Sequence, residues 1–208
     1  MVQPSAHPVF RVYALEYGYD SFNPGYGSTR FAPFADATGQ PVPALYLGED
    51  EDVALLESVF HEVGLVGDRV IYERELRERS LAYVTTPGTY RLVDLRDPAL
   101  VHLGLAREQL VATDAVHYPC TQEWAAWFHG RSLKGRQVQG LLWHSRKAEL
   151  VPGSVPREVE VLFGDRVASM PGSFPLAGPG VRNLFEGEGR LLVDAIAEVL
   201  DATIEPLA

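Results

Sequence analysis

Three side chains in one short stretch could carry chemistry: Arg30 in GSTRFAPF, Tyr46 in VPALYLGED and Glu57 in EDVALLESVFH. A planar guanidinium grips phosphate oxygens through paired, charge-assisted hydrogen bonds. An aromatic ring can border a flat base, and a carboxylate can stabilise the positive charge that develops on a sugar as its glycosidic bond breaks. Brought together by one turn, strand and helix, the three could hold a phosphorylated nucleotide and act on its ribose.

The elements that must position them can be read from spacing. Residues 42–47 form a short apolar strand carrying Tyr46, Gly48 turns the chain, and Asp50 is the expected helix N-cap, with Glu51 and Asp52 in the first turn. Val53, Leu56, Phe60 and Val63 recur at helical spacing and predict one buried helix face. Glu57 falls at the margin of that face, where a carboxylate either snorkels to water or is held partly buried. His61, one turn on, is expected to be a flank residue.

Upstream, residues 1–8 are expected to be a flexible arm. Residues 9–15 (VFRVYAL) read as a strand with Arg11 inside it, either at a solvated edge or in contact with an anion. Residues 17–34 form a long irregular loop. Its GYGSTR lacks the glycine spacing of the dinucleotide fingerprint and of the P-loop.

Downstream, residues 72–79 are expected to be helical, and residues 81–86 and 89–95 to be a pair of strands about a Pro87-Gly88 turn. Residues 106–110 suggest a short helix. Thr121 is the expected cap of a further helix, TQEWAAWFH, whose Trp124, Ala125, Trp127 and Phe128 point to core. Residues 140–144 read as a buried strand ending at Ser145, and residues 158–163 as another. Residues 170–180 look like a Pro/Gly-rich linker before a last amphipathic helix over residues 191–200.

Composition narrows the function. The 208 residues are 46% hydrophobic and 22% charged, ordinary for one soluble domain. The formal charge of −10 repels polyanions, so no nucleic-acid groove is expected, and any anionic ligand must meet a local basic pocket. The lone Cys120 excludes an intramolecular disulfide and suits a reducing cytoplasm. Neither a leader-like start nor an apolar stretch long enough for a membrane is present, so a cytoplasmic protein without membrane contact is expected.

Metal binding is not expected, because the histidines are scattered and no Cys-x-x-Cys or His-x-x-x-His pair occurs; His117 with Cys120 is the single weak candidate. A hydrolytic triad is not expected either. Ser145 lacks a Gly-x-Ser-x-Gly elbow, and adjacent His144 points to the opposite face of a strand.

Taken in order, a strand arginine (Arg11), the R-F-x-P turn (Arg30), L-Y-L before an acidic helix start (Tyr46), ALLESVFH (Glu57) and GLLWHSR (Ser145) resemble the RES domain. The family is named for an Arg, a Glu and a Ser, matched here by Arg30, Glu57 and Ser145. YPCTQEWA also looks family-like, and the resemblance covers roughly residues 10–167.

It implies an α+β fold similar to ADP-ribosyltransferases, with mixed or antiparallel sheets and flanking helices in one catalytic domain over residues 9–168. Residues 169–208 would be a linker and a helix packed on or appended to it. It also implies action on NAD+ without a metal, as a toxin that cleaves the nicotinamide–ribose bond by hydrolysis or phosphorolysis. Alternatives are a protein ADP-ribosyltransferase and a catalytically silent NAD- or partner-binding module.

On this resemblance Arg11 and Arg30 would bind the pyrophosphate or ribose side, Tyr46 would border the nicotinamide, and Glu57 would stabilise the sugar cation. Ser145 would position cofactor or glutamate, unless it makes only a strand-end hydrogen bond. The implied partner is a cognate Xre-like antitoxin covering the cleft, and a homodimer is left open.

Overall fold

The computed structural model describes residues 1–2, 6–61, 63, 69–86, 88–167 and 172–206. The first half of the chain forms β1 (Pro8–Ala14), β2 (Ala44–Gly48), α1 (Glu51–Leu56), β3 (Val70–Tyr72), α2 (Glu73–Arg77), β4 (Arg79–Thr85) and β5 (Leu92–Asp94). There follow α3 (Asp97–His102), α4 (Arg107–Leu110), α5 (Tyr118–His129), the hairpin β6 (Ser132–Leu133) and β7 (Arg136–Gln137), and β8 (Gly140–His144). The last elements are β9 (Glu158–Phe163), β10 (Leu176–Asn183), α6 (Gly187–Val199) and β11 (Thr203–Glu205).

Seven strands make one mixed sheet in the order β10-β4-β1-β2-β9-β8-β5. Its neighbours run antiparallel except β5 and β8, which are parallel. The result is a single α+β domain, as expected.

Alternation along the strands sorts side chains to the two faces of this sheet. Ala44, Leu141, Trp143, Val159, Val161 and Phe163 enter a large core with residues of α1, α5 and α6, and Tyr46 packs against it. Leu45, Leu47, Leu142 and Leu162 face a smaller core on the other side. Tyr46, Trp143 and α1 therefore share one face.

Asp50 caps α1 as expected, its Oδ1 accepting from the Val53 N–H at 2.8 Å. Gly48 lets β2 run against that helix, because a Cβ there would lie 2.8 Å from the Ala54 backbone nitrogen. The helix is shorter than the apolar spacing predicted. It ends at Leu56, where the Ser58 hydroxyl bonds back to the Ala54 carbonyl and the Phe60 N–H reaches the Leu55 carbonyl, five residues back. Val59, Phe60 and Val63 are buried all the same, by a turn instead of a helix.

Other expectations are corrected. The strands on either side of Gly88 are not a hairpin: β4 and β5 stand far apart in the sheet, and Pro87 lies outside the described residues. Thr121 sits inside α5, which starts three residues earlier and is preceded by His117. Trp127 is 46% exposed, so that helix buries only part of its aromatic content. Much of the expected linker is β10, which pairs with β4, while residues 170 and 171 lie outside the described residues. At the N-terminus Val2 bridges Leu92, and residues 3–5 are outside the description.

The smaller core holds one ionisable group that spacing did not single out. Glu160 of β9 is buried there, accepting from the Tyr90 hydroxyl at 2.7 Å, with His7 Nε2 at 3.9 Å. Burial pushes its carboxyl from an ordinary 4.5 up to about 7, against the opposing pull of the Tyr90 bond. The folded protein thus keeps this proton to higher pH than the unfolded chain does. Its contribution is full below the unfolded value and is lost as pH rises through the window from 4.5 to about 7. Glu160→Gln should flatten that part of the stability profile relative to wild type; parallel melting-temperature curves across the window would refute it.

Candidate active site

Glu57 leaves α1 at its C-cap (φ −85°, ψ 2°). A carboxylate at the negative end of a helix is opposed by the local dipole, so other contacts must hold it there. Ser145 supplies one. Its hydroxyl donates to Glu57 Oε1 at 2.5 Å, and its oxygen accepts the Ala148 N–H at 3.0 Å. Ser145 follows β8 and is 0% exposed, so its hydroxyl serves the glutamate and has no open side for a ligand. The hydroxyl thus bonds both Glu57 and the backbone just beyond the strand end.

The half-buried Glu57 borders a cavity of about 560 Å³ whose walls include Arg30, Tyr46, His61, Arg79 and Trp143. That volume is within the range of small-molecule sites. Trp143 meets Phe31 and Tyr46 edge-on, with ring centroids 5.0 and 6.1 Å apart, and so braces this wall.

The Tyr46 hydroxyl accepts the Phe31 N–H at 3.1 Å and lies 2.8 Å from Thr29 Oγ1. Because the single Thr29 hydroxyl proton goes to the Ala32 carbonyl, Tyr46 donates to Thr29. Burial pushes the phenol up to about 12, so it stays neutral and keeps that bond. Tyr46 therefore both lines the cavity and ties down the turn that carries Arg30.

The N-terminal part of α5 holds the same turn from the other side. Gln122 Nε2 shares its two hydrogens among Ser28 Oγ and the Thr29 and Ala32 carbonyls, at 3.1, 2.9 and 3.0 Å. The Thr121 hydroxyl donates to the Arg30 carbonyl. Arg30 is only 8% exposed, and its Nη1 donates to the Thr113 carbonyl and hydroxyl at 2.9 and 2.7 Å. Its guanidinium lies 5.5 Å from the centre of the Tyr118 ring. Burial lowers its pKa, while Tyr118 and then Glu57 pull it back up. One end of the fork is thus anchored, and the charge is oriented toward the same cavity as Glu57.

The guanidinium of Arg11 does not join this group. Arg11 lies on the interior strand β1, between β4 and β2, and not at an edge. Alternation puts its side chain on the face opposite Phe10 and Val12, which pack on the large core. There its Nη1 and Nη2 donate to the Tyr19 and Ser21 carbonyls at 2.7 and 2.6 Å, pinning the long loop. Burial lowers its pKa to about 10, which leaves it charged at neutral pH.

Several residues that line the cavity or hold its walls had no signal in spacing. His61 lines the wall and pairs its Nε2 with the Tyr118 hydroxyl at 3.1 Å. Thr113 lies in a segment that reads as mere connection. Arg79 looked like the end of a charged helix and instead opens β4. Gln122 alone was within reach, since it belongs to the YPCTQEWA segment singled out by resemblance. Among the described residues no group of three or more His, Cys, Asp or Glu gathers in a way that could hold a metal.

An acidic and a basic group fixed on the walls of one cleft in an α+β domain suit a small polar ligand. The family model of the RES domain matches residues 8–170, and the chain belongs to the RES domain family. At the coarse level this is a family of NAD-related toxins and NAD-utilising enzymes. No curated protein matches the sequence. Among the described residues no helix is long and apolar enough to cross a membrane.

Ser145→Ala leaves the Ala148 N–H without its buried acceptor and Glu57 without its donor. Such a loss costs about 1–3 kcal/mol. Thermal melting should show a drop of several degrees with native secondary structure retained by circular dichroism. An unchanged melting temperature would mean that the hydroxyl holds nothing in place.

Proposed function

We propose that this protein cleaves the nicotinamide–ribose bond of NAD+, as an NAD+ glycohydrolase or phosphorylase acting as a toxin that depletes NAD and arrests growth. The observation that carries the reading is the hydrogen bond from fully buried Ser145 to Glu57. It holds a carboxylate rigidly at a cavity where the helix end alone would disfavour one.

When the bond between the sugar C1′ and the nicotinamide nitrogen breaks, its electron pair leaves with nicotinamide, which departs neutral. The ribose becomes an oxocarbenium-like cation. Glu57 stabilises that charge and grips the ribose hydroxyls, an interaction stronger in the transition state than in the ground state. Ser145 acts through Glu57 by restricting its rotation, so that little reorganisation is needed as charge develops. Arg30 meets the phosphate or ribose side with the part of its fork that Thr113 leaves open. Tyr46 borders the nicotinamide and keeps the Arg30 turn in register. Water then attacks C1′ and gives up a proton, yielding ADP-ribose; phosphate attacking the same carbon would yield ADP-ribose 1″-phosphate. In the cell an antitoxin of the Xre-like class would cover the cleft and silence it.

Glu57→Gln keeps shape and most hydrogen-bonding reach but removes the negative charge. Losing one such electrostatic interaction typically lowers the rate about a hundred- to a thousand-fold. The expected variant folds normally, binds NAD+ and cleaves it at that reduced rate. NAD+ consumption followed by mass spectrometry, with and without phosphate, measures the rate and names the acceptor. Near wild-type turnover by Glu57→Gln would sink the mechanism, and no consumption by the wild type would sink the activity.

A further inference from the structure

A dinucleotide carries two negative charges on its diphosphate, and the cavity beside Glu57 already contains the carboxylates of Glu57 and Glu75. In a chain of net charge −10 those charges need a local cation. Arg30 is partly committed: Thr113 holds its Nη1, and Glu57 shares its field. The arginine that the sequence offered as a second cation, Arg11, is spent on loop carbonyls across the sheet.

The arginines around this part of the fold are mostly engaged as well. Arg69 donates to the Leu200 carbonyl, and Arg74 and Arg77 lie over the Tyr72 and Phe185 rings. Arg182 pairs with Glu51, and Arg190 with Glu73. Arg79 differs from them. It lines the cavity, is half-buried, and its guanidinium makes no hydrogen bond, ion pair or ring contact with any described residue.

Its backbone is nonetheless fixed, because Arg79 pairs with Ala14 across β1 and β4 and its carbonyl accepts the Leu184 N–H at 3.2 Å. Alternation puts it on the face of Leu81, which belongs to the large core, the same face as Tyr46. An arginine on a rigid strand, set in a cavity with its fork engaged by none of the described residues, is a pre-organised anion receptor.

We propose that Arg79 is the diphosphate-binding residue of this site. The proposal rests on the NAD-cleavage reading above for the orientation of the ligand, with ribose toward Glu57 and diphosphate toward Arg79. The guanidinium replaces the hydration of two phosphate oxygens with charge-assisted hydrogen bonds. Its contribution is to affinity and to the choice between phosphorylated and unphosphorylated ligands, and it takes no part in breaking the bond.

Calorimetric titration of the full chain with ADP-ribose and, separately, with adenosine tests it. Wild type should bind ADP-ribose, more weakly as salt is raised. Arg79→Gln should lose affinity for ADP-ribose by about ten- to a hundred-fold, the measure of a charge-assisted hydrogen bond. Its affinity for adenosine and its melting temperature should not change. Arg79→Lys, which keeps the charge without the fork, should fall between. Wild type that fails to bind ADP-ribose, Arg79→Gln that binds it undiminished, or equal losses for both ligands would each overturn the proposal.

Parallel NAD+ cleavage assays separate this proposal from the reading beneath it. Binding through Arg79 without cleavage would remove the proposed activity and leave the anion site standing. Cleavage with unchanged ADP-ribose affinity in Arg79→Gln would do the reverse.

Discussion

The hydrogen bond from Ser145 to Glu57 joins two elements that are 88 residues apart in the chain, and much of the cleft is arranged to allow it. β8 must end where its next residue is fully buried against the end of α1, and α1 must stop after six residues so that Glu57 falls at its C-cap. Both conditions run against local preference. A longer helix would satisfy the apolar spacing through Val63, and a carboxylate is better placed at the other end of a helix dipole. Conflicts of this kind between local propensity and observed structure concentrate at functional sites.

A second constraint is the turn carrying Arg30. An irregular loop could not by itself hold a buried guanidinium in one orientation. Here it is clamped from two sides, by the Tyr46 hydroxyl from the sheet and by Gln122 and Thr121 from α5. Thr113 then holds the guanidinium itself, which offsets part of the cost of burying a charge. Rigidity in the cleft thus comes from polar groups distributed over three separate parts of the chain, with Trp143 as the apolar brace between them.

The sheet decides which charges can meet. Its two faces carry two separate cores, and a side chain on one cannot reach a ligand on the other. Tyr46 and Arg79 fall on the face of α1, Arg11 on the opposite one. Three arginines that look interchangeable in the sequence are therefore a clamped cavity wall, a cavity wall whose guanidinium engages none of the described residues, and a loop anchor.

The sequence by itself determined the α+β class, the strands around Tyr46 and before Ser145, the Asp50 cap and the family, because each is written in local signals: alternation, capping chemistry and short motifs in a set order. It also singled out Arg30, Tyr46 and Glu57, which line one cavity, Ser145, which bonds Glu57 from within the core, and YPCTQEWA, which proves to hold the Arg30 turn. Only the tertiary structure decided that α1 stops at Leu56, that Thr121 clamps a turn and caps nothing, that residues 176–183 complete a sheet, and that Arg11 faces away while Arg79 faces in. Those outcomes depend on which strands become neighbours and on which face each residue emerges. Neighbour choice is settled by long-range burial, and a shift of one residue in register would reverse every facing; neither quantity is carried by any short stretch of the chain.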